Sequence, residues 1–128
     1  MNHRIVIEYK DDYIHVCYYG KINYDTSLDL WRQVVAACKE YNCYNILGES
    51  YSEVMSTMDS FEHSKIFQLA GVTIQHRIAW VAHGGDEKYR QVQFIETVLR
   101  NRGLLQGALF PTVEEAKSWL LGPKDDVD

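Results

Sequence analysis

The sequence predicts an α/β fold: a mixed five-stranded sheet that opens with an antiparallel hairpin, continues with parallel βα units and is flanked by four helices. The first observation is the order of the second half, where an apolar strand over 77–82, an amphipathic helix, a short strand over 108–110 and a last helix follow one another. Strands that alternate with helices in this way are typical of a parallel sheet. The second observation is that residues 77–82 are nearly all apolar, which favours a central strand covered on both faces.

The third observation is the alternation near the N-terminus, which predicts an antiparallel hairpin. Residues 4–9 and 13–19 both alternate along the chain, and Lys10-Asp11-Asp12 between them supplies a turn. One face of the second strand is apolar and is expected to be buried. The other face is aromatic and weakly polar, and it suits a partner, a hydrophobic ligand or a covering helix of the same chain. The residues of this second face are Tyr13, His15, Cys17 and Tyr19.

Capping residues predict the ends of the first helix and of the strand that follows it. The helix is expected to begin at Asp25 or Thr26, whose side-chain oxygens can accept an unpaired backbone N–H, and to end at Asn42. A short strand over 44–47 follows, and Gly48 is expected to close it.

The remaining helices are predicted in the same way. The second covers about 57–70 with Ser56 as its N-cap, the third begins with Asp86 as its cap and stops at Gly103, and the last is capped by Thr112. Two tryptophans on apolar helical stripes are expected to be buried core anchors: Trp31 and Trp119.

Composition limits the class of protein. The chain has 128 residues, which predicts one domain over 1–122 followed by a short acidic tail over 123–128. A formal charge of −5 argues against a nucleic-acid binder, which needs a basic face. No apolar run is long enough to span a bilayer, and the N-terminus lacks the apolar region of a signal peptide. Three cysteines that cannot all pair fit a reducing compartment, so we expect a cytoplasmic protein.

The histidines and cysteines do not form a recognisable metal motif along the sequence. The five histidines are dispersed, with no His-Glu-x-x-His pattern, and the cysteines lack a second ligand pair at metal-like spacing. We therefore expect no metal and no cofactor. Cys17 and Cys38 are interpreted as buried, inert thiols.

Catalytic motifs are also missing. Serines follow the third strand and His83 ends the central strand, but there is no Gly-x-Ser-x-Gly elbow, so turn and capping roles are favoured for the serines. His83-Gly84-Gly85-Asp86 precedes a helix, yet it lacks a Walker lysine and Asp86 would repel a phosphate. We expect no enzyme, and a hydrolase ranks third among the functions considered.

Several motifs occur in an order and spacing that point to one family. Tyr19-Gly20 precedes the first helix, Arg77-Ile78-Ala79-Trp80-Val81 forms the central strand, and Arg100-Asn101-Arg102-Gly103 ends the third helix. The chain closes with Phe110, Glu115, Ala116, Trp119 and Leu120. Together these motifs resemble the anti-sigma-factor-antagonist-like (SpoIIAA-like) family, in the STAS/SEC14-type group of small bacterial domains. The resemblance spans almost the whole chain.

The resemblance implies a mixed sheet flanked by helices and a non-catalytic role in binding or regulation through protein–protein interaction. It does not carry over a phosphorylation switch, because Gly48-Glu49-Ser50-Tyr51-Ser52 stands where the family has Asp-Ser-Ser-Gly. The alternative is a carrier of a small hydrophobic ligand or lipid, with a pocket between the second helix and the sheet. The aromatic excess predicts a homodimer that forms through an apolar surface.

The ligand or partner site is predicted at the loop 48–57 and the start of the second helix, near His83. This loop is the longest polar connection, and it follows a strand end where parallel sheets open. A mobile loop without a ligand is the competing interpretation. The predicted site residues are Ser50, Ser52, Ser56, Met58, Phe61 and His83.

Overall fold

A computed structural model describes residues 3–51, 59–104 and 106–122 of the chain, and these form an α/β fold with the predicted order of elements. The strands are β1 (His3–Tyr9), β2 (Ile14–Gly20), β3 (Asn45–Ser50), β4 (Arg77–Ala82) and β5 (Gln106–Phe110). The helices are α1 (Tyr24–Tyr41), α2 (Ser60–Ala70), α3 (Asp86–Asn101) and α4 (Val113–Leu121).

The five strands form one mixed sheet in the order β1-β2-β3-β4-β5. β1 and β2 are antiparallel, and every later pair is parallel, as the sequence predicted. Helices α1, α2 and α3 cover one face of the sheet, while α4 packs on β3, β4 and β5 from the other face. Because α4 is short, it leaves the β1–β2 part of the second face without a covering helix among the described residues.

The larger core lies between the sheet and α1–α3. Trp31 of α1 is 7% exposed and packs edge-on against Phe67 of α2, so the prediction of a buried anchor is confirmed for this residue. Trp119 of α4 is only half-buried, and the prediction is wrong for it. One part of its ring packs against Phe110 and the smaller core, and the guanidinium of Arg77 covers the ring at 4.1 Å from its centroid.

Helix α1 begins earlier than predicted and helix α2 begins later, because other residues cap them. Asn23 caps α1: its side chain accepts from the backbone N–H of Thr26, and its own N–H donates to the Thr26 hydroxyl. Asp59 caps α2 in a reciprocal arrangement with Glu62, so α2 begins at Ser60 and not near residue 57. Both helices therefore start with two backbone donors satisfied at once.

The ends of the later helices agree better with the sequence. Gly103 follows α3 with a φ of 73°, and Thr112 caps α4 by accepting from the backbone N–H of Glu115. Asp86 does not cap α3. It is the first helical residue, Gly85 holds the N-cap position, and no side chain provides a capping hydrogen bond there.

β3 does not stop at Gly48, contrary to the prediction, but continues to Ser50. The reason lies on the neighbouring strand, where the Trp80 ring covers Gly48. A β-carbon at Gly48 would lie 2.1 Å from Cζ3 of Trp80, so only glycine allows this close approach. The extra residues of the strand are Glu49 and Ser50, which point to opposite faces of the sheet.

Candidate functional site

The described residues form two candidate sites, one on each face of the sheet. Ser50 lines an apolar cavity between the sheet and α1–α3, which we call the interior cavity. Glu49 points to the opposite face, into a group of polar side chains that we call the Glu49 cluster. The members of the Glu49 cluster are His15, Cys17, Glu49, Tyr51 and His83.

The interior cavity has a volume of about 120 Å³. Its walls are mainly apolar and come from the sheet and all three covering helices. Among the wall residues are Tyr18, Trp31, Phe67, Ile78, Trp80 and Ile95. A space with these walls favours an apolar occupant.

Ser50 and Lys88 bring polar groups to the interior cavity. The Trp80 indole N–H donates to the Ser50 hydroxyl at 3.3 Å. The Lys88 ammonium donates to the backbone carbonyl oxygens of Ser50 at 3.3 Å and His83 at 2.7 Å. Lys88 is only 4% exposed, and burial lowers the pKa of this side chain to about 8.

His63 of α2 adds a third polar group to the lining of the interior cavity. Its Nε2 atom is buried and has no hydrogen-bond partner among the described residues. Burial also lowers the pKa of His63, so its ring is neutral at pH 7. A buried polar atom without a partner costs about 1–3 kcal/mol, and a ligand that bonds to it would recover part of that cost.

The centre of the Glu49 cluster is a buried carboxylate with three hydrogen-bond donors. Oε2 of Glu49 accepts from Nε2 of His15 at 2.7 Å. Oε1 accepts from the Tyr51 hydroxyl at 2.5 Å and from Nε2 of His83 at 3.0 Å. The Glu49 side chain is 8% exposed, whereas those of His15 and His83 are 24% and 38% exposed.

Cys17 completes the cluster because of the register between β2 and β3. His15 and Cys17 are two residues apart in β2 and share a face, and Cys17 lies opposite Glu49 in the parallel ladder. The Cys17 sulfur is 3.6 Å from Nε2 of His15 and 3.8 Å from Oε2 of Glu49. A ring nitrogen, a sulfur and a carboxylate oxygen therefore lie close together on the face of the sheet opposite to helices α1–α3.

Hydrogen bonds and burial together set the protonation states of Glu49, Tyr51 and Cys17. Burial by itself raises the pKa of Glu49, but hydrogen bonds from Tyr51, His15 and His83 outweigh it, so the pKa is below its ordinary value. The bond to Glu49, followed by burial, raises the pKa of Tyr51. Burial and the Glu49 charge raise the pKa of Cys17. Near neutral pH the carboxylate is ionised, while the phenol and the thiol are protonated.

A stack of rings borders the Glu49 cluster. Tyr51 lies between the rings of Tyr19 and His83, with ring centroids 5.0 and 4.3 Å apart. The Arg4 guanidinium covers the Tyr19 ring at 4.7 Å from its centroid. The aromatic second face that the sequence predicted therefore has two parts: α4 reaches Tyr13, and the Tyr19 end is built into the ring stack.

The three predicted site residues that the structure describes do not have their side chains in one place. Ser50 lines the interior cavity, His83 belongs to the Glu49 cluster on the other face, and Phe61 of α2 is 66% exposed. Ser52, Ser56 and Met58 lie outside the described residues, as does the tail 123–128.

Sequence reasoning missed Glu49, Lys88 and His63 as site residues. The sequence predicts a loop at Glu49, because Gly48 is a typical residue to end a strand. The sequence predicts that His15 and Cys17 share one face of β2. It does not predict that β3 is the strand next to them. The parallel register of β2 and β3 was the missing information, since it brings Glu49 opposite Cys17.

Comparison with known proteins supports the fold. No family model matches the sequence, and no curated protein matches it. Among solved structures, the chain is similar to an uncharacterised protein of the DUF3478 family with a SpoIIAA-like fold from Shewanella loihica PV-4. The two chains are 14% identical, the match covers 93% of each, and the TM-score is 0.56.

The chain thus has a SpoIIAA-like fold, and the resemblance found in the sequence is confirmed at the level of fold. At 14% identity the likeness says nothing of ligand or partner. Among the described residues, no helix combines the length and the apolar character needed to cross a membrane.

Proposed function

We propose that the protein is a non-catalytic binding module that holds a small, mainly apolar molecule in the interior cavity. This is the carrier function that the sequence offered as its alternative. The observation that carries the proposal is the buried Nε2 of His63, which lacks a partner among the described residues and belongs to the lining of an apolar space.

The volume of the interior cavity limits the size of the ligand. Its 120 Å³ is slightly smaller than the cavity of about 150 Å³ that binds benzene in an engineered protein. A single aromatic ring or a short alkyl chain therefore matches the space. A long-chain fatty acid or isoprenoid requires α2 or α3 to move away from the sheet.

The polar groups of the lining suggest what the ligand carries besides its apolar body. A hydroxyl or carboxyl group can bond to Nε2 of His63, which has no other partner among the described residues. One such hydrogen bond contributes about 0.5–1.5 kcal/mol, a factor of about 2–10 in affinity. We therefore expect phenol-like ligands to bind more tightly than apolar rings of the same size.

Titration of the full chain with benzene, phenol, hexanol and palmitate, followed by amide chemical shifts, tests the proposal. Two half-buried valines of α3 provide matched variants, because Val92 lines the cavity and Val98 is not among its lining residues. Val92→Trp should fill the space and abolish binding of phenol, whereas Val98→Trp should leave it. Binding that survives Val92→Trp, or no binding of any small probe, would contradict the proposal.

His63→Phe tests the polar part separately. The variant keeps a ring of similar shape and removes the Nε2 atom, so benzene should still bind while the preference for phenol disappears. If the preference persists, the hydrogen bond comes from another group. If palmitate binds and the small probes do not, the protein is a carrier of long chains with a cavity that opens.

Self-association is a second proposal, and exposed apolar side chains of α2 support it. Phe61 is 66% exposed and Leu69 is 51% exposed, two turns further along the same helix. A homodimer through α2 would bury both, and it fits the interaction role that the sequence predicted. Sedimentation with and without reductant should give the same dimer, and Phe61→Ser with Leu69→Ser should give monomers. A monomer at high concentration for the unaltered chain would refute this.

We also propose that the protein is located in the cytoplasm. The thiols of Cys17, Cys38 and Cys43 are all free, which suits a reducing compartment. Fractionation of cells that produce the protein with its natural termini would test the location directly.

A further inference from the structure

We infer that His15, Cys17 and Glu49 form a binding site for a divalent cation of the zinc class on the face of the sheet opposite to helices α1–α3. The three side chains each offer one ligand atom, and these atoms lie within 4.8 Å of one another. This site is on the opposite face from the interior cavity, so the inference does not depend on the proposed function.

Two of the three distances between the ligand atoms are close to those of a tetrahedral zinc site. Zinc bonds of about 2.0–2.3 Å at tetrahedral angles place N, S and O donors about 3.4–3.6 Å apart. The sulfur of Cys17 is 3.6 Å from Nε2 of His15 and 3.8 Å from Oε2 of Glu49. The remaining edge, 2.7 Å between Nε2 and Oε2, is a hydrogen bond that a cation would open by roughly 0.7 Å.

The combination of a nitrogen, a sulfur and an oxygen ligand favours zinc over calcium and magnesium. Imidazole, thiolate and carboxylate are together the ligands of zinc, whereas calcium and magnesium take oxygen ligands alone. Three protein ligands leave the fourth tetrahedral position to water or to a bound molecule. The His15 side chain is 24% exposed, whereas Cys17 and Glu49 are buried, so the site lies just below the surface.

The rest of the Glu49 cluster suits the outer shell of such a site. The second oxygen of Glu49, Oε1, accepts from Tyr51 and His83, which fixes the carboxylate so that Oε2 faces His15 and Cys17. Metal-binding carboxylates are held by hydrogen bonds of this kind, and losing one typically weakens metal binding about 10–100-fold. His83 is therefore a positioning residue.

The backbone fixes the ligands before any cation arrives. His15 and Cys17 share one face of β2, and Glu49 lies directly opposite Cys17 in β3. Closure of the site needs small rotations of side chains and no change of the strands. This arrangement differs from sequence-local zinc motifs, and for that reason ligand spacing along the chain did not predict it.

Cobalt titration of the chelator-treated full chain is the experiment. We expect one Co²⁺ per chain, with the intense visible bands of a tetrahedral site and a thiolate-to-cobalt charge-transfer band, and Zn²⁺ should displace it. Cys17→Ser should remove the charge-transfer band, and Glu49→Gln should weaken binding at least tenfold. Cys43→Ser is the matched control, because that half-buried thiol lies outside the cluster and its loss should change nothing.

Two further measurements decide the result even if Cys17→Ser does not fold. X-ray absorption of the unaltered zinc-loaded chain should report one sulfur at about 2.3 Å and the remaining ligands as nitrogen or oxygen at about 2.0–2.1 Å. His83→Gln should weaken binding about 10–100-fold and keep the charge-transfer band. No stoichiometric binding, a shell with no sulfur or with two sulfurs, or a band lost in Cys43→Ser would each overturn the inference.

Discussion

Gly48→Ala is expected to destabilise the protein by about 2–3 kcal/mol, although it adds one methyl group. The added carbon would lie 2.1 and 2.2 Å from two ring carbons of Trp80, where contact distances are about 3.5–4.0 Å. The ring must move by roughly 1.5 Å, and its N–H bond to Ser50 is strained or lost. Overpacking of this kind costs about 1–3 kcal/mol, the weakened hydrogen bond adds about 0.5–1.5 kcal/mol, and alanine returns about 0.4–1 kcal/mol through the unfolded chain, which centres the net cost near 2–3 kcal/mol. Urea denaturation gives the difference in free energy of unfolding.

A double-mutant cycle with Trp80→Leu isolates the cause. Without the indole, Gly48→Ala should be neutral or slightly stabilising, which gives a coupling energy of about 2–4 kcal/mol between the two positions. The explanation fails if Gly48→Ala costs the same in both backgrounds, or if it costs less than about 0.5 kcal/mol in the unaltered chain.

Three other predictions concern the core, a buried charge and a cap, all measured by urea denaturation. Trp31→Ala should cost about 3–5 kcal/mol and Trp119→Ala clearly less, because only Trp31 is fully buried; equal losses would contradict the burial difference. Burial lowers the pKa of Lys88 from 10.5 to about 8, so between those pH values the unfolded chain binds more protons and stability should rise with pH. Between these pH values the free energy of unfolding should rise by roughly 2–3 kcal/mol more than that of the Lys88→Met variant. If the free energies of unfolding of the two proteins change in parallel with pH, the buried charge is refuted. Asn23→Ala should cost about 1 kcal/mol, and no loss would mean that another residue caps α1.

The fold was predictable because its signals are local. Alternation in β1 and β2, the apolar run of β4 and the caps at Asn42 and Thr112 each depend on residues a few positions apart. The wrong end of β3 shows the limit of such signals. Glycine commonly ends a strand, and the Trp80 ring that explains Gly48 comes from a strand 32 residues further along the chain.

The site was less predictable because it depends on pairings between distant segments. The sequence correctly grouped Ser50 and His83 near neighbouring strand ends, but it could not give their directions. Glu49 and Ser50 are consecutive residues of β3 and point to opposite faces, so Ser50 lies on one face of the sheet and the His83 side chain, which bonds to Glu49, lies on the other. The hydrogen bonds from His15 and His83 to Glu49 each join residues 34 positions apart, which no periodicity reports.

The two candidate sites share a short piece of backbone at the ends of β3 and β4. Lys88 lines the interior cavity and donates to the carbonyl oxygens of Ser50 and His83. Ser50 follows Glu49 directly, and the His83 side chain holds the Glu49 carboxylate. An occupant of the cavity that displaces the Lys88 ammonium must therefore alter the hydrogen bonds of two residues that position the Glu49 cluster. Because coupling between binding sites is reciprocal, a cation at the cluster would change the affinity of the cavity by the same factor.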